Sequence, residues 1–259
     1  MKVLLVGDIV GSPGRAWFKA VAQWLLGAGE VNAIIANAEN AAAGNGITRA
    51  LAEELLGAGA DLLTLGDHTW GQRGFDADIG GLKRVVRPAN FPEGTPGATA
   101  AVAETALGPI GVVSVLGQVF MAPADNPFHA VDRALRQIPA NVPVFVDVHA
   151  EATSEKIALG HWLDGRAACV FGTHTHVQTS DATILPGGTA YITDLGMTGP
   201  AEGVIGRQLA PVLKKFTTGV PAKFEVAGGP AKLEGAIVEI PRGERRAASI
   251  KAVRYIQEG

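Results

Sequence analysis

The chain has one cysteine, Cys169, in 259 residues, so an internal disulfide is excluded and a reducing, cytoplasmic setting is expected. Cys169 lies inside the apolar run Ala168-Cys-Val-Phe171, where a lone thiol serves as a small core side chain. No apolar stretch approaches the ~20 residues that span a bilayer. The opening run Met1-Lys-Val-Leu-Leu-Val-Gly-Asp8 is too short for a signal peptide and is broken by Asp8. No membrane partner is therefore expected. A surplus of positive charge is also missing: 22 Lys+Arg against 25 Asp+Glu gives −3, which argues against general nucleic-acid binding. A small nucleotide is still compatible, because a metal ion can supply positive charge locally. There is no internal repeat, no low-complexity tract and no linker, so residues 1–259 are expected to form one domain. Gly11-Ser-Pro-Gly14 lacks the Gly-Lys-Ser/Thr of a P-loop and reads as a tight turn.

What is present is 47% hydrophobic residue content and a mean hydropathy of +0.20, enough for a sizeable α/β core. Short apolar strands alternate with helical periodicity from the start. Residues 2–6 read as a strand, 15–26 as a helix with Trp17, Val21, Trp24 and Leu25 on its apolar face, and 33–36 as a strand. Thr48 then caps a helix to about residue 56, and 61–65 is a third strand. This order implies a parallel sheet with right-handed crossovers. Residues 71–109 are less regular. Further strands are expected at 110–116, 142–148, 168–171 and 188–193. Helices are expected at 128–138, at about 153–163 with Thr153 or Ser154 as cap, and at 208–215. The tail, at 223–226, 233–240 and 249–256, reads as an antiparallel meander. The fold class is thus α/β with mixed sheets.

Chemistry-bearing residues gather where these strands end. The chain presents Asp8 after the first strand, Glu39-Asn40 after the second, Asp67-His68 after the third, His149 after the 142–148 strand, and His174 and His176 after the 168–171 strand. Sites in open parallel sheets lie outside the carboxyl ends of the strands. Residues i and i+2 of an extended segment point the same way, which would set His174 and His176 side by side. Three carboxylates, one amide and four imidazoles exceed one ion's need and suit two transition metals with a bridging carboxylate. The oxygen and nitrogen donors favour Mn, Fe or Zn. His129 and His161 fall at helix ends and read as structural. Asp164, Asp181 and Asp194 read as turn residues, and Glu151 and Glu155 as helix-start residues. Trp17, Trp24, Trp70 and Trp162 are left open between core and interface.

The segments Gly7-Asp8-Ile-Val-Gly-Ser-Pro-Gly-Arg15, Asn37-Ala-Glu-Asn40, Gly66-Asp67-His68-Thr-Trp70, Arg87-Pro-Ala-Asn90, Val148-His149-Ala-Glu-Ala-Thr-Ser-Glu-Lys156, Gly172-Thr-His-Thr-His-Val-Gln178 and Tyr191-Ile-Thr-Asp-Leu-Gly-Met-Thr-Gly199 together resemble the YmdB-like branch of the calcineurin-like metallophosphoesterases. The resemblance implies a four-layer sandwich of two β-sheets flanked by helices. It implies a binuclear phosphodiesterase acting on 2′,3′-cyclic nucleotides such as 2′,3′-cyclic AMP, through a metal-bridging hydroxide. The two ions would be divalent or trivalent transition metals, iron first, with manganese or zinc as alternatives. Asp8, Glu39, Asn40 and His176 would hold one ion, and Asp67, His149 and His174 the other. Glu39 would bridge, and His68 would be the general acid. Ile9-Val10 stand where the wider superfamily has its first histidine motif, and Asp67 stands where the family has Asn. The extra charge of Asp67 bears on which metal is preferred. The alternative functions are a metal- and nucleotide-binding regulatory protein with little turnover, or a hydrolase of another phosphoester such as RNA ends. A homo-oligomer is also in keeping with the reading.

Overall fold

Period-two alternation places the first strand, β1 (Lys2–Val6), between two cores. Leu4 and Val6 face one, Val3 and Leu5 the other. The structure, a computed structural model, describes residues 1–258. In chain order β1 is followed by β2 (Asp8–Ile9), α1 (Gly11–Gly27), β3 (Ala33–Asn37), α2 (Arg49–Gly57), β4 (Leu62–Thr64), the short α3 (Phe75–Asp78) and β5 (Val85–Val86). β1, β3, β4 and β5 are parallel neighbours, as the alternation of strand and helix requires. Thr48 caps α2, its Oγ1 accepting from Leu51 N at 3.3 Å.

A second sheet follows. It consists of β6 (Ala100–Thr105), β7 (Gly108–Leu116), β8 (Val144–His149), β9 (Cys169–Thr173), β10 (Thr183–Ile184) and β11 (Ala190–Ile192), in the order β10-β11-β9-β8-β7-β6. Its four central strands are parallel, with antiparallel edges. The helices α4 (Pro127–Leu135) and α5 (Thr153–Trp162) cross over between its strands. β12 (Met197–Pro200), α6 (Leu209–Thr218), β13 (Ala231–Glu239) and β14 (Ser249–Ile256) then return to the first sheet, where β13 lies antiparallel to β1 on one side and β14 on the other.

Three apolar cores define four layers. One packs α1 and α2 on the first sheet through Phe18, Val21, Leu25 and Leu55. The middle one joins the sheets through Val3, Leu5, Ile35, Phe145 and Phe171. The third packs α4 and α5 on the second sheet through Val131, Leu159, Val146 and Val170. This is the sandwich that the motifs imply, and Cys169 is a buried member of its middle core.

Several local expectations differ from the structure. Gly11-Ser-Pro-Gly14 is the first turn of α1, not a turn before it. Pro13 has no N–H to lose so early in a helix, and a side chain at Gly14 would overlap the Thr198 carbonyl of β12. The buried face of α1 is Phe18, Val21, Ala22 and Leu25, while Trp24 is largely exposed. The cap of α5 is Ala152, without a side-chain bond. Residues 223–226 form only an isolated bridge, Val226 to Arg207, so the tail is a hairpin and not a meander. The irregular region hides β6, whose pairing partner β7 follows through a tight turn.

Candidate metal centre

The inner faces of four strands share one sequence logic, read toward their carboxyl ends. β3 runs Ala33, Ile35, Asn37; β4 runs Leu62, Thr64; β8 runs Phe145, Asp147, His149; β9 runs Cys169, Phe171, Thr173. Each passes from middle-core apolar residues to a buried polar one, and the candidate ligands follow at or just beyond the end. All eight sequence-predicted positions, Asp8, Glu39, Asn40, Asp67, His68, His149, His174 and His176, come together there, drawn from both sheets.

One donor set consists of Glu39, Asp67, His149 and His174, whose ligand atoms all lie within 4.8 Å of one another. His149 Nε2 is 2.9 Å from Asp67 Oδ1, 3.1 Å from Glu39 Oε1 and 3.1 Å from His174 Nδ1. A second set adjoins it. Asn40 Nδ2 is 3.2 Å from Glu39 Oε1, 3.3 Å from Asp8 Oδ1 and 3.4 Å from His176 Nε2. Glu39 thus belongs to both. The orientation of Asn40 differs from a ligand's: its amide nitrogen faces this set, while its Oδ1 meets His68 Nδ1 at 2.9 Å. A half-turn of the amide would exchange the two.

The outer nitrogen of each of three imidazoles is occupied. The one hydrogen of Thr173 Oγ1 goes to Asp147 Oδ1 at 2.6 Å, so His149 Nδ1–H donates to Thr173 Oγ1 at 2.8 Å. His174 Nε2 meets Glu151 Oε2 at 3.3 Å, and His176 Nδ1 meets the Ile205 carbonyl at 3.4 Å. The inner nitrogens face one another and the carboxylates; protonated, they pair with those carboxylates, and with the protons removed their lone pairs converge where a metal cation would sit. This pattern of outer-held histidines is that of metal ligands, and the donor set fits a transition-metal centre.

Charge follows the same geometry. Burial alone would push the His149 imidazole down, but Glu39 and Asp67 outweigh it and hold it well above the usual histidine value. Burial likewise opposes charge on His176, and Asp8 raises it. Asp8 and Asp67 are held below the usual carboxylate range, because neighbouring histidines overcome their burial. Asp147, without such a partner in contact, is pushed up to about 6 by burial.

The loop after β9 departs from the extended expectation. β9 stops at Thr173, and His174 and His176 take φ of 94° and 62°. The two rings consequently serve different donor sets. Left-handed backbone at a non-glycine residue costs about 1–3 kcal/mol, so this loop is held by its surroundings.

Other residues join the site without having been singled out from sequence. Asn37 and Thr64 donate to Asp147 Oδ2 at 3.1 and 2.5 Å. Glu151, read from the sequence as a helix-start residue, instead lies before the Ala152 cap, lines the cleft and holds His174, and Ile205 and Arg207 line the same cleft of about 320 Å³, which opens onto Glu39, His68 and the two loop histidines. Asp194 turns the chain as expected, its Oδ1 accepting from Gly196 N at 2.8 Å, and is in addition half of a buried ion pair with Lys156. A polar residue one pleat before the end of an otherwise apolar strand is the signal that would have found Asp147. Nothing in the local sequence marks Arg207.

A family model described as YmdB-like protein matches residues 4–253. The chain is 43% identical over 254 residues to a 2′,3′-cyclic-nucleotide 2′-phosphodiesterase of Bacillus subtilis, covering 98% of this chain and 96% of that one. A crystal structure of a hypothetical protein from Thermus thermophilus superposes with a TM-score of 0.92 at 41% identity, over the full length of both. The calcineurin-like phosphoesterase YfkN from Bacillus subtilis shares the fold alone, at 13% identity and a TM-score of 0.50, over 99% of this chain and 90% of that one.

Proposed function

The chain belongs to the YmdB-like protein family, and we propose that it is a metal-dependent phosphoric ester hydrolase that acts on 2′,3′-cyclic nucleotides at a centre of two transition-metal ions, a reading supported by its 43% identity to the Bacillus subtilis phosphodiesterase. The observation that carries this reading is the sharing of Glu39. Its Oε1 is 3.1 Å from His149 Nε2 in one donor set and 3.2 Å from Asn40 Nδ2 in the other. One carboxylate common to two sets is what a bridged pair requires. Asp8, Glu39, Asn40 and His176 would hold one ion, with the Asn40 amide turned, and Asp67, His149 and His174 the other. Because these residues come from both sheets, residues 1–259 act in this reading as one domain. Bound there, the ions supply Lewis acidity toward phosphoryl oxygens and lower the pKa of water.

The protein's own contribution centres on His68. Its backbone N–H donates to Glu39 Oε2 at 2.8 Å, and its Nδ1 lies 2.9 Å from the Asn40 amide; with that amide turned as a ligand, Asn40 Nδ2–H would donate to Nδ1, which fixes the ring and puts the proton on Nε2. The side chain is 41% exposed toward the cleft. Nε2 is left to give its proton to the departing ribose oxygen as the P–O bond breaks and water adds to phosphorus. Arg207, tied to the carbonyls of Ala43 and Gly44, sets positive charge at the rim of the cleft, where a phosphate enters. The name of the Bacillus subtilis relative specifies the 2′ ester; the same choice here would leave a 3′-phosphomonoester.

The test is steady-state hydrolysis of 2′,3′-cyclic AMP by protein reconstituted separately with iron, manganese and zinc, with the 2′- and 3′-monophosphate products resolved. Metal-dependent turnover is expected. Its absence in protein shown to contain metal would favour a nucleotide-holding regulatory protein instead.

A further inference from the structure

Lys156 and Asp194 are both fully buried, and the site chemistry above uses neither. Lys156 reaches from α5 beneath β9, its Nζ 2.7 Å from Asp194 Oδ2 and 2.8 Å from the Thr173 carbonyl. It passes where Gly172 has no side chain; a Cβ there would lie 2.7 Å from Lys156 Cδ and would overlap the Thr193 carbonyl. Asp194 Oδ2 also accepts from Thr175 Oγ1 at 2.7 Å and from Thr175 N at 3.3 Å, and its Oδ1 accepts from Gly196 N at 2.8 Å.

A buried ion pair is weak evidence of stabilisation, since desolvation of both charges offsets their attraction. The contacts of this pair are more informative than its energy. They fall on Thr173 and Thr175, the residues on either side of His174, and the second of these directly precedes His176. These are the two histidines with left-handed backbone. Without the pair the loop is free to relax toward extended backbone, which would turn both rings away from their donor sets. We propose that Lys156 and Asp194 are positioning residues: a buried clamp that holds the His174–His176 loop in its left-handed conformation and thereby sets the affinity of the centre for metal.

This proposal rests on His174 and His176 being ligands, so the experiment separates the two ideas. The double variant Lys156→Met/Asp194→Asn removes both charges together, which spares the fold an unpaired buried ion. The amide that replaces the Asp194 carboxylate still has an oxygen to accept from Gly196. Manganese and zinc affinities are measured by chelator competition at a temperature where urea titration shows the variant folded. Hydrogen exchange of the metal-free protein is followed over residues 173–177. Affinity is expected to fall 10- to 100-fold, with faster exchange in this loop and unchanged exchange in β8. Thr175→Val, which deletes one arm of the clamp and leaves the ion pair, is expected to lose affinity 3- to 10-fold and keeps the test open if the double variant does not fold. Affinity within twofold of wild type in a folded variant would overturn the clamp. His176→Ala is run alongside: if it too binds metal like wild type, the ligand reading fails and the proposal with it.

Discussion

The valine variant of Thr173 tests whether the buried polar network behind the centre governs metal binding or only stability. Thr173 Oγ1 is the link between His149 Nδ1, at 2.8 Å, and Asp147 Oδ1, at 2.6 Å. Thr173→Val keeps the shape and removes both bonds. Asp147 Oδ1 loses its hydroxyl partner and the His149 N–H loses its acceptor. At pH 7.5, above the value of about 6 to which burial raises Asp147, the carboxylate is charged, and the combined loss is expected to be about 3 kcal/mol. The tautomer of His149 is also released, and metal affinity should fall about 10- to 100-fold, or roughly 1.4–2.8 kcal/mol. Thr64→Val is the control. It removes the 2.5 Å bond to Asp147 Oδ2, where Asn37 still donates at 3.1 Å, and it does not touch His149. It should cost about 1–2 kcal/mol with affinity nearly unchanged. Urea denaturation of the metal-free proteins gives the stability, and chelator competition with manganese and zinc gives the affinity. The reasoning fails if Thr173→Val binds metal like wild type, or if Thr64→Val loses as much affinity as Thr173→Val.

Three further outcomes are expected. His68→Ala should keep its metal and lose about 10²- to 10⁴-fold in kcat, whereas Glu39→Gln should lose metal and turnover together; metal analysis beside kinetics separates them, and equal metal loss in both would refute the division of roles. In the metal-free protein His149 and His176 are held above the usual histidine value, His149 by Glu39 and Asp67 against its burial and His176 by Asp8 against its own. Their contribution to stability is therefore fully present below about pH 6.5, the unfolded value, and is lost as pH rises through the higher folded values. The urea midpoint of metal-free protein should drop as pH rises above about 6.5 while metal affinity climbs over the same range, and a flat or rising midpoint would contradict the sign. Asp67→Asn removes one negative charge from the donor set, which should weaken metal binding but leave the bound ion a stronger Lewis acid. The acid limb of kcat against pH is expected to move to lower pH, and movement upward would count against it.

The candidate ligands were legible because strand ends in a parallel sheet point to one place. Asp8, Glu39, Asp67 and His149 each follow a run whose apolar character identifies a buried strand, and topology then forces convergence. The sandwich was legible from the family resemblance, and the parallel first half from the alternation of strand and helix. What did not follow was anything depending on contacts distant in sequence. β6 is moderately polar and partly exposed, and only its pairing with β7 makes it a strand. Residues 223–226 alternate like a strand yet find a single bridging partner.

The His174–Thr175–His176 loop shows most clearly where such reading stops. Extended backbone predicts two rings on one side, although the family resemblance assigns them to different ions, and the sequence offers no glycine or proline within the loop to signal another backbone conformation. The observed φ of 94° and 62° sends the rings to different donor sets. That conformation is imposed from outside the loop, by Asp194 from beyond β11 and Lys156 from before β9. Local propensity opposes it, so the division of the two histidines between two sets of donors is a property of tertiary structure. The chemistry of a site can therefore be visible in residue types at strand ends while its partition between two donor sets is not read from strand geometry, and here the sequence supplied that partition only through the family resemblance. That partition depends on buried groups that touch neither donor set, which is why the exchange and affinity measurements on the clamp test the arrangement of the site and not only its stability.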